Sequence, residues 1–312
     1  MASSAPMKVL VFGGKTGWIG AQMVALLRSR GHEAVVAESR LEKTEQVAAE
    51  IDAVKPSHVF NCAGLTGRPN VDWCEEHKAE VIRVNLVGTL ALLDACEARA
   101  LHVTNFATGC IYTYDAAHPV GGAPFTERDP PNYEGSFYSV TKGMVDRLSP
   151  LYSKALTLRL RMPISDDLSP RNFVTKISSY ARVIDVPNSV TVLHDLLPVA
   201  LALAERGVTG LFNFTNPGVI SHNQVLDLYR EIVDKDFWYE NFTEEEQAKV
   251  LKAGRCNNHL DVSKLQAALP DMVIPEVHES MRRVFTRMRD NLVAAGNFPP
   301  PPRKGPKPAA KA

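Results

Sequence analysis

Tyr138 and Lys142 stand four residues apart in Tyr138-Ser-Val-Thr-Lys142, a spacing that puts a phenol and an ammonium on one face of a helix. An ammonium beside a phenol stabilises phenolate and lowers a pKa that is ordinarily about 10, fitting the tyrosine for proton transfer near neutral pH. Thr108 follows the apolar run Leu101 to Phe106, and its hydroxyl could hydrogen-bond the same substrate oxygen as Tyr138; capping a turn is its alternative role. Together Thr108, Tyr138 and Lys142 make a donor set for reducing a carbonyl, or for the reverse reaction. Upstream, Gly14-Lys15-Thr16-Gly17-Trp18-Ile19-Gly20 spaces its glycines as GxxGxxG. Such glycines permit a tight turn, close backbone approach to a pyrophosphate and close helix packing, and the helix that follows favours negative charge at its N-terminus.

The elements around these residues give the motifs their meaning. Lys8 to Phe12 reads as a strand that breaks at Gly13-Gly14, and an apolar periodic helix follows from Trp18 to Arg30. The alternation continues with strands over 33–37, 58–61, 101–106 and 155–160 and helices over 43–54, 75–98 and 138–153. This predicts an α/β fold, a Rossmann-type doubly wound parallel sheet with ligands at the carboxyl ends of its strands. After Met162-Pro163 the regularity changes. The reading is a dinucleotide-binding domain over 1–165, a smaller mixed α/β substrate-binding lobe over 166–296, and a disordered Pro/Lys-rich tail over 297–312.

Within that frame the expected cofactor contacts are Gly14, Thr16, Gly17, Trp18, Ile19, Asn61, Ala63, Gly64, Tyr138, Lys142 and Pro163. The second strand ends Ala37-Glu38-Ser39-Arg40, where an acidic residue would read the free ribose hydroxyl of NAD and an arginine the 2′-phosphate of NADP. Both types are present; Arg40 with Ser39 favours NADPH, with NADH left open. Asn85, on the helix behind the third strand, reads as a structural hydrogen-bonding residue.

Lys+Arg and Asp+Glu both number 35, so no basic surplus points to nucleic acid or an anionic membrane surface. No apolar run approaches a membrane span or a signal peptide, and a cytoplasmic location is expected. The cysteines Cys62, Cys74, Cys96, Cys110 and Cys256 are odd in number and lack CxxC or zinc-ligand spacing, which predicts reduced thiols and no metal site.

With these motifs in order, the chain resembles the extended short-chain dehydrogenase/reductases over nearly its whole ordered length. Arg255-Cys-Asn-Asn-His-Leu-Asp261-Val-Ser-Lys264 looks like the family's arginine-to-LDxxK stretch, which implies that Arg255 contacts a nucleotide diphosphate; a surface salt bridge is the alternative. Nucleotide-sugar 4,6-dehydratases carry an Asp-Glu pair directly after the threonine, where this chain has Gly109-Cys110, so that reaction is disfavoured. GRPNVDWCE (67–75), NFATGCIY (105–112), GSFYSVTK (135–142), RMPIS (161–165), RNFVTKI (171–177) and NFTNPG (213–218) look like the bifunctional epimerase/reductases of UDP-rhamnose synthesis. The chain departs from them at Glu38, where a small residue is usual, in shortened segments before Phe125 and at Leu168 to Arg171, and in its tail.

The resemblance implies epimerisation of UDP-4-keto-6-deoxy-D-glucose at C3 and C5, then reduction at C4. It implies Cys110 and Lys176 as the acid/base pair, with Thr108, Cys110, Asn172 and Arg255 on the substrate. It also implies an upstream 4,6-dehydratase as pathway partner. Two helices beside the sheet could pair in a homodimer. A plain 4-ketoreductase and a non-catalytic NADP-binding regulatory subunit are the competing readings, and no local signature separates UDP from dTDP.

Overall fold

The computed structural model describes residues 5–68 and 70–300; the part of the expected tail over 301–312 lies outside the described residues. β1 (Lys8–Phe12), α1 (Trp18–Ser29), β2 (Glu33–Val36), α2 (Thr44–Val54) and β3 (His58–Asn61) alternate as the periodicity predicts. The single helix expected over 75–98 is instead α3 (Trp73–Glu76), α4 (Lys78–Val81), a π-helical stretch (Ile82–Gly88) and α5 (Thr89–Glu97). The cause is visible at the fully buried Asn85. Its side-chain amide accepts from the Leu65 N–H and donates to the Leu65 carbonyl, each at 2.8 Å, so the helix is locally reshaped to pin the loop after β3.

β4 (His102–Thr108), α6 (Phe137–Leu148) and β5 (Ala155–Leu160) complete the first run. The chain then forms β6 (Pro163–Ile164), α7 (Phe173–Ser179), β7 (Arg182–Val183), β8 (Thr191–Val192), α8 (Leu193–Glu205) and β9 (Gly210–Asn213). It finishes with α9 (His222–Ile232), β10 (Glu240–Asn241), α10 (Glu244–Val250), α11 (Ser263–Ala268) and α12 (Val277–Ala294). The main sheet is parallel throughout, in the order β2-β1-β3-β4-β5-β9. The chain winds outward in opposite directions from β1, to β2 on one side and β3 on the other. The crevice at the carboxyl ends of β1 and β3 is therefore the topological switch point.

The sheet does not end at residue 165. β9 extends it beyond β5, and α8 packs Leu193, Leu196, Leu197 and Leu203 into the same core as Val9, Met23, Leu27 and Leu158. A parallel sheet must be covered on both faces, and α8 supplies apolar cover where α1 alone cannot reach; α2 and α5 cover the opposite face. A separate core of Ile164, Val174, Ile177, Val225, Leu226, Phe285 and Met288 holds α7, α9, α12 and the β6-β8 pair together as the second lobe.

One buried ion pair fixes α6 to the sheet. Arg159 of β5, 1% exposed, donates from Nε and Nη2 to the two carboxylate oxygens of Asp146 on α6 at 2.8 and 2.7 Å, and from Nη1 to Asn213 of β9 at 3.3 Å. Asp146 lies one turn beyond Lys142. Asp146→Ala leaves a buried guanidinium without its anion and is expected to cost about 3–5 kcal/mol of stability, measured by urea unfolding.

Candidate active site

The first strand ends in a turn built for close approach. Gly13 has φ +78°, and a Cβ placed on it would sit 2.8 Å from the Ala63 nitrogen at the end of β3. A Cβ on Gly17 or Gly20 would fall 2.3 or 2.2 Å from the Gly13 carbonyl oxygen, which instead accepts the Gly17 N–H at 3.1 Å. The first turn of α1 carries no acidic residue, so its positive end remains unneutralised at the mouth of the crevice. Gly14, Thr16 and Gly17 lie on this turn, Trp18 and Ile19 open α1, and Ala63, just past β3, faces Gly13, while Gly64 beside it faces Asn85. This cradle, too tight for side chains and open to an anion, fits a dinucleotide pyrophosphate. Asn61 is spent internally: it donates to Asn105 at 2.9 Å and accepts the Ala63 N–H at 3.1 Å, so it shapes the cradle from behind. Trp18 reaches across to the second lobe, its indole N–H donating to Asp167 at 2.7 Å.

At the end of β2, Glu50 of α2 accepts the backbone N–H groups of Glu38 and Ser39 at 2.8 and 2.9 Å. Glu38 is paired with Lys15 at 2.7 Å, and Arg40, whose side chain is 68% exposed, is tethered through Nε to Glu42 at 2.6 Å.

Thr108 ends β4 beside the Tyr138 phenol and the Cys110 thiol, and its hydroxyl accepts the Cys110 N–H at 3.0 Å. Ser136 caps α6 by accepting the Ser139 N–H at 3.1 Å, which starts the helix at the turn that presents Tyr138. The expected effect of Lys142 on Tyr138 is not what the structure has. Burial, with Cys110 adding, pushes the phenol above its ordinary range, while burial pushes Lys142 down to about 8. A phenol that holds its proton is a donor, which suits carbonyl reduction. Cys110 lies 3.0 Å from Nη1 of Arg161, and the same nitrogen lies 3.0 Å from Cys256 Sγ. Lys176 on α7 is half-buried and feels the charge of Cys110; burial and the nearby Arg171 push its ammonium down.

The NAD dependent epimerase/dehydratase family matches the chain over residues 9–199. The protein belongs to that family. A bifunctional dTDP-4-dehydrorhamnose 3,5-epimerase/dTDP-4-dehydrorhamnose reductase of Arabidopsis thaliana is 52% identical to it over 274 residues, 87% of this chain and 91% of the relative. A trifunctional UDP-glucose 4,6-dehydratase/UDP-4-keto-6-deoxy-D-glucose 3,5-epimerase/UDP-4-keto-L-rhamnose-reductase of the same plant is 53% identical over 271 residues, and there the match spans 40% of the longer relative. The crystal structure of a UDP-rhamnose synthase from Acanthamoeba polyphaga mimivirus superposes with a TM-score of 0.86 at 39% identity, covering 91% of this chain and all of that one.

Other expected site residues of this epimerase/dehydratase family member have different work. Asn172 is fully buried as the N-cap of α7: it accepts the Val174 N–H at 3.2 Å and donates to the carbonyls of Ser165 and Asp167 at 2.8 and 2.7 Å. No donor is left for a substrate, and the Asn before an apolar helical run is itself an N-cap signature. Arg255 donates from Nη1 to Asp72 at 2.9 Å and to the Ala253 carbonyl at 2.7 Å, the salt bridge of the alternative reading. Pro163 is half-buried in β6, just past Met162, whose φ of +36° marks a strained turn. Cys256 and Arg161 emerge beside Cys110 without having been singled out by type or spacing. Cys74 and Cys96 are inert packing thiols, pushed up by burial to about 11 and about 12.

The folded Lys142 titrates near 8 against an ordinary 10.5, so the folded protein binds fewer protons than the unfolded chain between those values. The penalty for burying its charge is therefore full below pH 8 and relieved as pH rises toward 10.5. Lys142→Met is expected to raise the unfolding midpoint in denaturant at neutral pH, with the gain shrinking across that window, while reductase activity is lost.

Proposed function

We propose that the protein epimerises UDP-4-keto-6-deoxy-D-glucose at C3 and C5 and reduces C4 with NADPH, yielding UDP-L-rhamnose. The observation that carries this reading is that Cys110 stands beside Thr108, whose hydroxyl accepts the Cys110 N–H at 3.0 Å, and that both neighbour the Tyr138 phenol, so that a C4 oxygen held there would face all three. The named activities of relatives more than half identical support a 4-keto-6-deoxy sugar as substrate; the trifunctional relative and the UDP-rhamnose synthase structure support the UDP carrier, whereas the bifunctional relative is named for dTDP.

A C4 ketone acidifies the protons on C3 and C5. Cys110 on one face and Lys176 on the other exchange a proton with each carbon, and Tyr138 and Thr108 stabilise the enolate oxygen as donors. When bound, the reduced nicotinamide supplies hydride to C4. Tyr138 then protonates the alkoxide, and Lys142, poised near neutrality by burial, restores its proton. The cradle around Gly14, Gly17 and Gly20 holds the pyrophosphate, Arg40 and Ser39 the ribose phosphate, and Arg255, released from Asp72, the substrate diphosphate. A 4,6-dehydratase supplies the 4-keto sugar; in the trifunctional relative's name that activity accompanies the other two. Thiol chemistry at Cys110 fits a reducing, cytoplasmic setting. Exposed Met144 and Leu148 on α6 and Ile82 and Val87 on the adjacent π-helical stretch offer a face for homodimerisation.

Incubation with UDP-4-keto-6-deoxyglucose and NADPH in D2O is expected to oxidise the cofactor and give rhamnose deuterated at C3 and C5, read by NMR. Cys110→Ala is expected to abolish that deuterium uptake. Reduction without exchange in the wild type would leave a plain reductase. For the cofactor, Arg40→Ala is expected to raise KM for NADPH roughly tenfold and that for NADH far less, since a charge-assisted hydrogen bond to phosphate contributes about 1.5–3 kcal/mol.

A further inference from the structure

Arg159 lies on β5 and Arg161 just beyond its end, and both are buried, at 1% and 2% exposure. Arg159 has its carboxylate in Asp146. Arg161 has none: among the described residues its hydrogen-bond partners are the sulfurs of Cys110 and Cys256, the Cys256 carbonyl at 3.0 Å and the Asn188 side-chain oxygen. A guanidinium keeps its charge in a protein, and burying it without a counter-ion is costly. Of these partners only the sulfurs can carry a negative charge.

We propose that Arg161 is the counter-ion of a thiolate on Cys110 and that Cys256 keeps its proton and donates it to that sulfur, making Arg161 and Cys256 positioning residues for the epimerisation base. The assignment between the two sulfurs follows from their surroundings. Before substrate arrives, the Thr108 hydroxyl, whose oxygen accepts the Cys110 N–H at 3.0 Å, is a third donor to Cys110, which Cys256 lacks. Two thiolates on one guanidinium would repel, so the pair holds a single proton. The hydrogen bond from Cys256, with Arg161 and Thr108 adding to it against burial, holds Cys110 well below the ordinary thiol range, and sharing with Cys110 pushes Cys256 well above it. The other titratable groups facing this cluster are Tyr133, Tyr138 and Lys176 toward Cys110, and Tyr114 and His222 toward Arg161.

The inference rests on the epimerase reading and adds a direction to it. Cys110 enters the cycle as the base. It takes the proton from a substrate carbon as the electron pair of that C–H bond moves into the enolate, and it becomes a neutral thiol. The Lys176 ammonium delivers a proton to the opposite face. Transfer of the Cys110 proton to the Lys176 amine, directly or through solvent, resets both groups with no net proton change.

The test is the pH dependence of Cys110 alkylation by iodoacetamide, followed on the full chain by peptide mass spectrometry, alongside the pH profile of C3/C5 deuterium exchange. Wild-type Cys110 is expected to titrate well below the ordinary ~8.5. Cys256→Ala is expected to raise that midpoint by about one unit and to shift the acid limb of the exchange profile equally, whereas Cys256→Ser, which keeps a hydroxyl donor, restores most of the difference. An ordinary midpoint in the wild type, or one unmoved in Cys256→Ala, overturns the proposal. Wild-type protein that titrates low yet takes up no deuterium supports the thiolate assignment and overturns the epimerase reading alone.

Discussion

The geometry of the site hangs on the pairing of Arg159 with Asp146. α6 carries Tyr138 and Lys142, and of its buried residues only Val145 brings a sizeable apolar side chain, so apolar contact alone orients the helix weakly. A bidentate ion pair orients it firmly. Two hydrogen bonds in fixed geometry between β5 and α6 set the rotation of the helix, and the third, from Arg159 to Asn213, extends the constraint to β9. Asn213 in turn donates to the carbonyls of Phe125 and Asp261, each at 2.9 Å, so the long loop after β4 and the segment that carries Cys256 are referenced to the same point. The phenol comes from α6, the threonine and the Cys110 thiol from the end of β4, and one buried charge pair gives them a common frame.

The same strand shows how a protein separates structural from chemical use of one residue type. Arg159 and Arg161 are equally hidden, yet one is answered by a carboxylate and the other by soft, titratable sulfur. The loop between Gly109 and Tyr112 is held for this purpose by Asn258, which donates to both of those carbonyls at 3.0 and 2.8 Å. The site is thus assembled from the ends of β4 and β5 and from a C-terminal segment that crosses over them, in keeping with the carboxyl edge of a parallel sheet as the place of chemistry.

What the sequence made legible was local. The glycine turn, the YxxxK face and the strand–helix alternation depend on residues within a few positions of one another, and each is found where its spacing predicts, save that the helix expected over 75–98 is broken around Asn85. Four features were not legible in this way. Cys256 meets Arg161 across a separation of 95 residues, and neither type nor spacing marks that pairing. β9 reads as another short strand of the second lobe, because nothing in Gly210–Asn213 says which sheet it joins. Asn172 looks available for a ligand until its three hydrogen bonds are counted. The direction of the Tyr138 shift depends on burial and on a neighbouring thiol, neither of which a YxxxK spacing encodes.

The carboxylate of Glu50 has a consequence for how such a protein changes in evolution. Because it already occupies the backbone donors of Glu38 and Ser39, those two groups are closed to any ligand at the end of β2, and their side chains are what remains to meet one. The carboxylate anchors the loop from behind, and Glu38 and Arg40 stand exposed on it, each paired with a surface partner. What these two side chains recognise is thereby detached from what folds the loop. A lineage can alter both surface positions, and with them the preference proposed for Arg40, while leaving the core and the sheet untouched.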